Sequence, residues 1–172
     1  MVRLVKTLIP EKKIQERVHQ LAREIARDFS PSQIHVLFVL KGAFIFCADI
    51  VRAFSLLNVD IIIDYVIAKS YVGKESTGNV NCLADVEVKG KQILLIEDII
   101  DTGRTIKTLK EKLTRRQPES LRIVCLLDKP ERREVNVTPD YIGFQIEDKF
   151  VVGYGLDHDE RYRHLPFIAE IE

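Results

Sequence analysis

The chain has 172 residues, 46% hydrophobic and 30% charged, enough to bury one sizeable core and too few for two ordinary domains, so a single domain over 1–172 is expected. Twenty-six Lys and Arg balance twenty-six Asp and Glu, which argues against a nucleic-acid-coating or membrane-surface protein. The three cysteines, Cys47, Cys82 and Cys125, form no CxxC pair, no secretory leader pattern is present and no apolar run reaches membrane-spanning length; buried thiols in a cytoplasmic, reducing setting fit.

From the N-terminal side, Ile14, Val18, Leu21, Ile25 and Phe29 recur at helical spacing over 11–29, with charged residues between them, and Pro31 ends the pattern. IHVLFVL (34–40) is a short, nearly continuous apolar run that reads as a strand buried on both faces. KGAFIFCADIVRAF then reads as a loop opening a helix. VDIIIDYVI (59–67) is expected to be a second buried strand, and SYVGKESTGNV (70–80), polar and without either periodicity, a long mobile loop. KGK at 89–91 is a turn into QILLIED (92–98), a third strand. DTGRTIKTLKEKLTRR places Ile106, Leu109 and Leu113 on one helical face, and LRIVCLL (121–127) is a fourth strand. The basic run within 104–133 reads as a solvated helix face. YIGFQI and FVVGYGL are short strand-like runs assigned to a small C-terminal hood.

Apolar strands alternating with helices predict an α/β fold: a mainly parallel twisted sheet flanked by helices, with ligands at the carboxyl ends of the strands. At the end of the third strand, Glu97 and Asp98 are followed by Asp101, Thr102, Gly103, Arg104 and Thr105. Unpaired N–H groups at a helix start, a glycine permitting close approach and two threonine hydroxyls suit a phosphate monoester. The bland alternative is that Asp101 or Thr102 caps the helix and the carboxylates face water. Adjacent carboxylates beside a phosphate turn match the two ends of ribose 5-phosphate.

IEDIIDTGRT resembles the phosphoribosyl pyrophosphate signature of type I phosphoribosyltransferases, and its DIIDTG form resembles the hypoxanthine(-guanine) branch. The resemblance implies purine salvage: transfer of the 5-phosphoribosyl group to hypoxanthine or guanine, with Mg²⁺. It also implies that Glu97 and Asp98 hold the ribose hydroxyls and the Mg²⁺ shell, that residues 101–105 bind the 5-phosphate, and that Asp101 handles the proton at purine N7.

Lys41 and Gly42, at the end of the first strand, combine charge with a free backbone and suit pyrophosphate, against the plain reading of a turn with a surface lysine. The resemblance assigns that loop to pyrophosphate, with a strained or cis peptide at Lys41, and makes 70–80 a lid with Ser70 and Tyr71 at its tip. In DKFVVGYGLDHDERYRHLPFI, Phe150 can stack on a base and Val151 can offer backbone groups to its edge, while Asp157 and Arg163 can meet a second Mg²⁺ and the pyrophosphate. Core packing is the alternative for Phe150. Lys129 matches the lysine that donates to the purine 6-oxygen; an ammonium only donates, so it favours a carbonyl and opposes adenine's amino group.

His158 and His164 match no metal-ligand spacing and read as solvent-facing, and His158 stands where the family often has an aromatic residue. An RNA-binding regulator of pyrimidine genes with a similar TGRT turn is the rival reading, but such proteins typically carry an aromatic residue at the place of Asp101 and lack the hood segment. Small-molecule substrates and no nucleic-acid or membrane partner are therefore expected. The family implies a homodimer or homotetramer.

Overall fold

The computed structural model describes residues 4–67 and 86–172; the expected lid residues Ser70 and Tyr71, and Cys82, lie outside them. In chain order the elements are β1 (Leu4–Ile9), α1 (Glu11–Phe29), β2 (Ile34–Leu40), α2 (Phe44–Ser55), β3 (Ile61–Ile67), β4 (Gln92–Ile100), α3 (Arg104–Thr114), β5 (Ser120–Asp128), a 3-10 turn (Pro130–Arg132), β6 (Tyr141–Gln145), β7 (Val151–Val152) and β8 (Ile168–Ile171). Five parallel strands in the order β3-β2-β4-β5-β6 form the main sheet.

The period-2 alternation of each central strand splits the core in two. Leu94 and Ile96 of β4 join Ile34, Val36, Val124 and Leu126 on the face covered by α1 and α2. Ile93 and Leu95 join Leu37, Val39 and Ile123 beneath Ile106, Leu109 and Leu113 of α3. Cys47 and Cys125 are buried, and burial pushes the Cys47 thiol up to about 12. Helix α1 also serves the sheet edge: Arg17 donates to the carbonyls of Ile142 and Gly143 on β6, at 2.7 and 3.1 Å.

Two expected placements differ. β3 is an edge strand paired only with β2 among the described residues, so Ile62, Ile63 and Tyr65 are 41, 47 and 53% exposed rather than buried on both faces. YIGFQ belongs to the main sheet rather than the hood: β6 runs parallel to β5 through a crossover, residues 129–140, that holds a single 3-10 turn and no helix. A crossover without helical periodicity leaves no sequence sign of a parallel connection. The hood is a three-stranded antiparallel sheet, β1-β8-β7, and takes one strand from the N-terminal side. Among the described residues no helix is long and apolar enough to cross a membrane.

Strand order sets where a ligand can enter. From β2 the chain moves outward to β3, then returns to β4 on the other side of β2, with α2 and α3 on opposite faces. The loops after β2 and β4 therefore part and open a crevice at their carboxyl ends.

Candidate active site

A cleft of about 620 Å³ occupies that crevice. Its walls are the Lys41–Gly42 loop after β2, the Glu97–Asp98 end of β4, the turn into α3, and Asp157, Glu160 and Arg163 of the hood. Ten of the residues singled out from sequence meet here: Lys41, Gly42, Glu97, Asp98, Asp101, Thr102, Gly103, Thr105, Asp157 and Arg163.

Glu97 is 6% exposed and its Oε1 accepts from the Asp98 N–H at 3.1 Å; Asp98 Oδ1 accepts from the Ile99 N–H at 2.6 Å. Burial, then the adjacent Asp98 charge, holds the Glu97 carboxyl well above the usual range. Burial raises Asp98 as well, outweighing its hydrogen bonds and the charge of Arg163. Gly42 is there for space: a Cβ at that position would lie 1.5 Å from Asp98 Oδ2. The Leu40–Lys41 peptide is cis, as the resemblance implied.

The turn at 101–105 is not a capped helix start. Asp101 Oδ1 accepts from Arg132 Nε at 2.9 Å, and Thr102 Oγ1 accepts from the Arg104 N–H only at 3.4 Å. Gly103 takes φ 83°, where a Cβ would press into Val137, Arg133 and Val135. Arg133 Nη1 donates to the Asp101 carbonyl at 2.8 Å and the Glu134 N–H to the Thr102 carbonyl at 3.0 Å, so the crossover braces the turn from behind. One expected ligand turns away: the Arg104 side chain, the first of α3, pairs with Glu134 outside the cleft.

From the hood, Arg163 Nη2 pairs with Asp157 Oδ1 at 2.7 Å and Nη1 donates to the Gly155 carbonyl at 2.8 Å. Gly155, at φ 103°, packs against the Gly42 carbonyl, so hood and Lys41–Gly42 loop touch directly. Tyr154 is buried and donates to Asp49 Oδ2 at 2.5 Å, pinning the same segment to α2.

Lys129, Phe150 and Val151 do not line the cleft; of the three, Lys129 is linked to Asp101 through a chain of ion pairs. Arg132 bridges Asp101 and Asp148, and Asp148 Oδ1 is 3.6 Å from Lys129 Nζ. Lys129 is 6% exposed and donates to the Lys149 carbonyl at 2.6 Å, next to Phe150. Phe150 is 58% exposed, not core, and meets the His158 ring edge-on at a centroid distance of 5.4 Å. His158 thus packs its ring against Phe150 rather than facing solvent alone. Val151 is buried in β7.

Arg132, Arg133, Glu160 and the Tyr154–Asp49 pair escaped the sequence reading. Arg132 and Arg133 sat in a run read as a solvated face, yet the 3-10 turn beginning at Pro130 brings both guanidiniums onto Asp101. Pro130 was the available signal. His158 and His164 form no metal cluster with their neighbours among the described residues.

Residues 5–159 match the family model described as phosphoribosyl transferase domain. The chain is 43% identical to the hypoxanthine phosphoribosyltransferase of Escherichia coli (strain K12), covering 99% of this chain and 97% of that protein. It is 41% identical to the hypoxanthine-guanine phosphoribosyltransferase of Aquifex aeolicus (strain VF5), covering 98% and 95%. A crystal structure of a hypoxanthine-guanine phosphoribosyltransferase from Bacillus anthracis superposes with a TM-score of 0.91 at 45% identity, over 100% of this chain and 99% of that one.

Proposed function

This chain belongs to the hypoxanthine(-guanine) phosphoribosyltransferases of the phosphoribosyl transferase domain family, and from that premise we propose how its residues divide the work. The reaction is purine salvage: the 5-phosphoribosyl group of phosphoribosyl pyrophosphate passes to hypoxanthine or guanine, giving the nucleoside monophosphate and pyrophosphate. The observation that carries the assignment is the meeting, in one crevice, of a lysine-glycine loop, the paired carboxylates with their adjoining phosphate turn, and the hood residues Asp157 and Arg163, from three separate parts of the chain.

The 5-phosphate takes the N–H groups at the start of α3 and the hydroxyls of Thr102 and Thr105, close to the chain at Gly103. Glu97 and Asp98 hold the ribose hydroxyls, and Lys41, Gly42 and Arg163 the pyrophosphate. The base lies against Phe150, with Val151 at its edge and Lys129 donating to its 6-oxygen; the Lys149 carbonyl takes one of the three ammonium donors and leaves others for the base.

The donors also fit Mg²⁺. Glu97 and Asp98 present hard carboxylate oxygens to the cleft, with Asp157 on its hood side for a second ion, and a divalent cation would offset the repulsion between the buried Glu97 carboxylate and the adjacent Asp98. Bound there, Mg²⁺ supplies charge neutralisation for the departing pyrophosphate. The carbon–oxygen bond at the anomeric carbon breaks through a loose, oxocarbenium-like transition state while purine N9 approaches from the opposite face. The residues contribute mainly by positioning. Asp101 takes the N7 proton, its carboxylate oriented by Arg132.

We further assign one domain, a cytoplasmic location and a homodimer or homotetramer; β3, paired only with β2 among the described residues and carrying the exposed Ile62, Ile63 and Tyr65, supports association. Asp101→Asn tests the chemistry. Turnover should fall by about two to four orders of magnitude, the range for a lost general acid or base, with phosphoribosyl pyrophosphate affinity little changed. Unaltered turnover removes Asp101 from the mechanism.

A further inference from the structure

Glu160 belongs to no step above, yet it lines the same cleft. Its Oε2 accepts from Lys41 Nζ at 2.9 Å and lies 3.4 Å from Arg163 Nη2, so one carboxylate oxygen engages both cations assigned to pyrophosphate. The residue is held at φ 61° with its N–H donating to Asp157 Oδ2 at 2.9 Å. Backbone and neighbour thus hold the Glu160 main chain in place, while its side chain reaches across to a loop 119 residues away in sequence.

Two features separate this contact from a structural brace. The Lys41 and Glu160 side chains are 66% and 65% exposed, so the pair forms and breaks at little cost. Arg163 keeps Asp157 and the Gly155 carbonyl when Glu160 leaves, and Gly155 still packs on Gly42, so the hood does not depend on Glu160 for its seat. The hydrogen bond from Lys41 also holds the Glu160 carboxyl below the usual range.

We propose that Glu160 is an internal anion that occupies the pyrophosphate cations in the empty enzyme, is displaced by phosphoribosyl pyrophosphate, and returns as pyrophosphate departs. It is an affinity-setting residue for one substrate rather than a catalytic one. The inference rests on the reading that Lys41 and Arg163 hold pyrophosphate.

The test compares two ligands that differ in this respect: phosphoribosyl pyrophosphate with Mg²⁺, and inosine monophosphate, which carries no pyrophosphate. Glu160→Gln keeps size and polarity and removes the charge. Its dissociation constant for phosphoribosyl pyrophosphate should fall by about two- to fivefold, the factor an exposed ion pair is worth, with inosine monophosphate unchanged. KM for phosphoribosyl pyrophosphate should fall by the same factor and kcat should not rise. Equal shifts for both ligands, or unchanged or weaker phosphoribosyl pyrophosphate binding, would overturn the proposal. Lys41→Gln and Arg163→Gln keep the two failures apart. If they weaken phosphoribosyl pyrophosphate and Glu160→Gln does not tighten it, only Glu160 is misassigned; if neither weakens it, the pyrophosphate reading itself falls.

Discussion

Gly42→Ala puts the geometry of the cleft under direct strain. The new Cβ would lie 1.5 Å from Asp98 Oδ2 and 2.5 Å from Asp98 Cγ, whereas real Cβ contacts essentially never fall below 3.0 Å. The carboxylate must therefore retreat by about 1.5 Å. No left-handed φ is imposed at Gly42, and the atom in the way is the end of a side chain, so the backbone can accept alanine. The cost falls on the site rather than on the fold. A misplacement of about 1 Å in a positioned group costs roughly 100-fold, and 100-fold is about 2.7 kcal/mol of transition-state stabilisation. Initial rates of pyrophosphate release should show kcat/KM lower by about two orders of magnitude, while the urea midpoint moves little. Gly90→Ala is the control: it meets nothing within 4 Å but sits at φ 66°, so it should cost stability and leave the rate alone. A folded Gly42→Ala enzyme within about threefold of the parent rate would refute the close apposition of this loop to Asp98 as a catalytic requirement.

Two further substitutions probe parts of the frame. Tyr154→Phe removes the donor to Asp49 and should cost about 1–3 kcal/mol in chemical denaturation, the penalty for a partly stranded buried acceptor; no change would mean that Gln15 and Arg52 satisfy Asp49 alone. Burial pushes the Asp28 carboxyl up, but hydrogen bonds from Tyr141 and Arg27 with the nearby cations bring it below the ordinary 3.8. A carboxylate lowered in the folded state stabilises above its unfolded value and loses that contribution as pH falls through the folded one. Asp28→Asn should therefore destabilise near neutrality and show a shallower loss of stability below about pH 4. Parallel urea-midpoint curves for the two proteins would contradict the assignment.

Helix 11–29 and strand 34–40 were legible to the residue because each carries its own signal: an apolar stripe at period 3.6 closed by proline, and an apolar run too short for a helix. IEDIIDTGRT was legible because a strand end, paired carboxylates and a helix start are adjacent in sequence. Edge position was not, since Ile62 and Ile63 look as apolar as Val36 and only the topology leaves them uncovered. β1 escaped because its partner, β8, lies at the other end of the chain. Arg132 reaching Asp101 across 31 residues and Glu160 reaching Lys41 across 119 depend on where the crossover and hood come to rest, which no local pattern encodes.

Pyrophosphate release from phosphoribosyl pyrophosphate, measured in turn with hypoxanthine, guanine, xanthine, adenine and uracil, tests the central claim most directly. Hypoxanthine or guanine should support release, whereas adenine should give none above background, because Lys129 offers only donors to the 6-position, and uracil, a pyrimidine with no N9 to attack, should give none either. Release with adenine or uracil, or none with any 6-oxopurine, would contradict it.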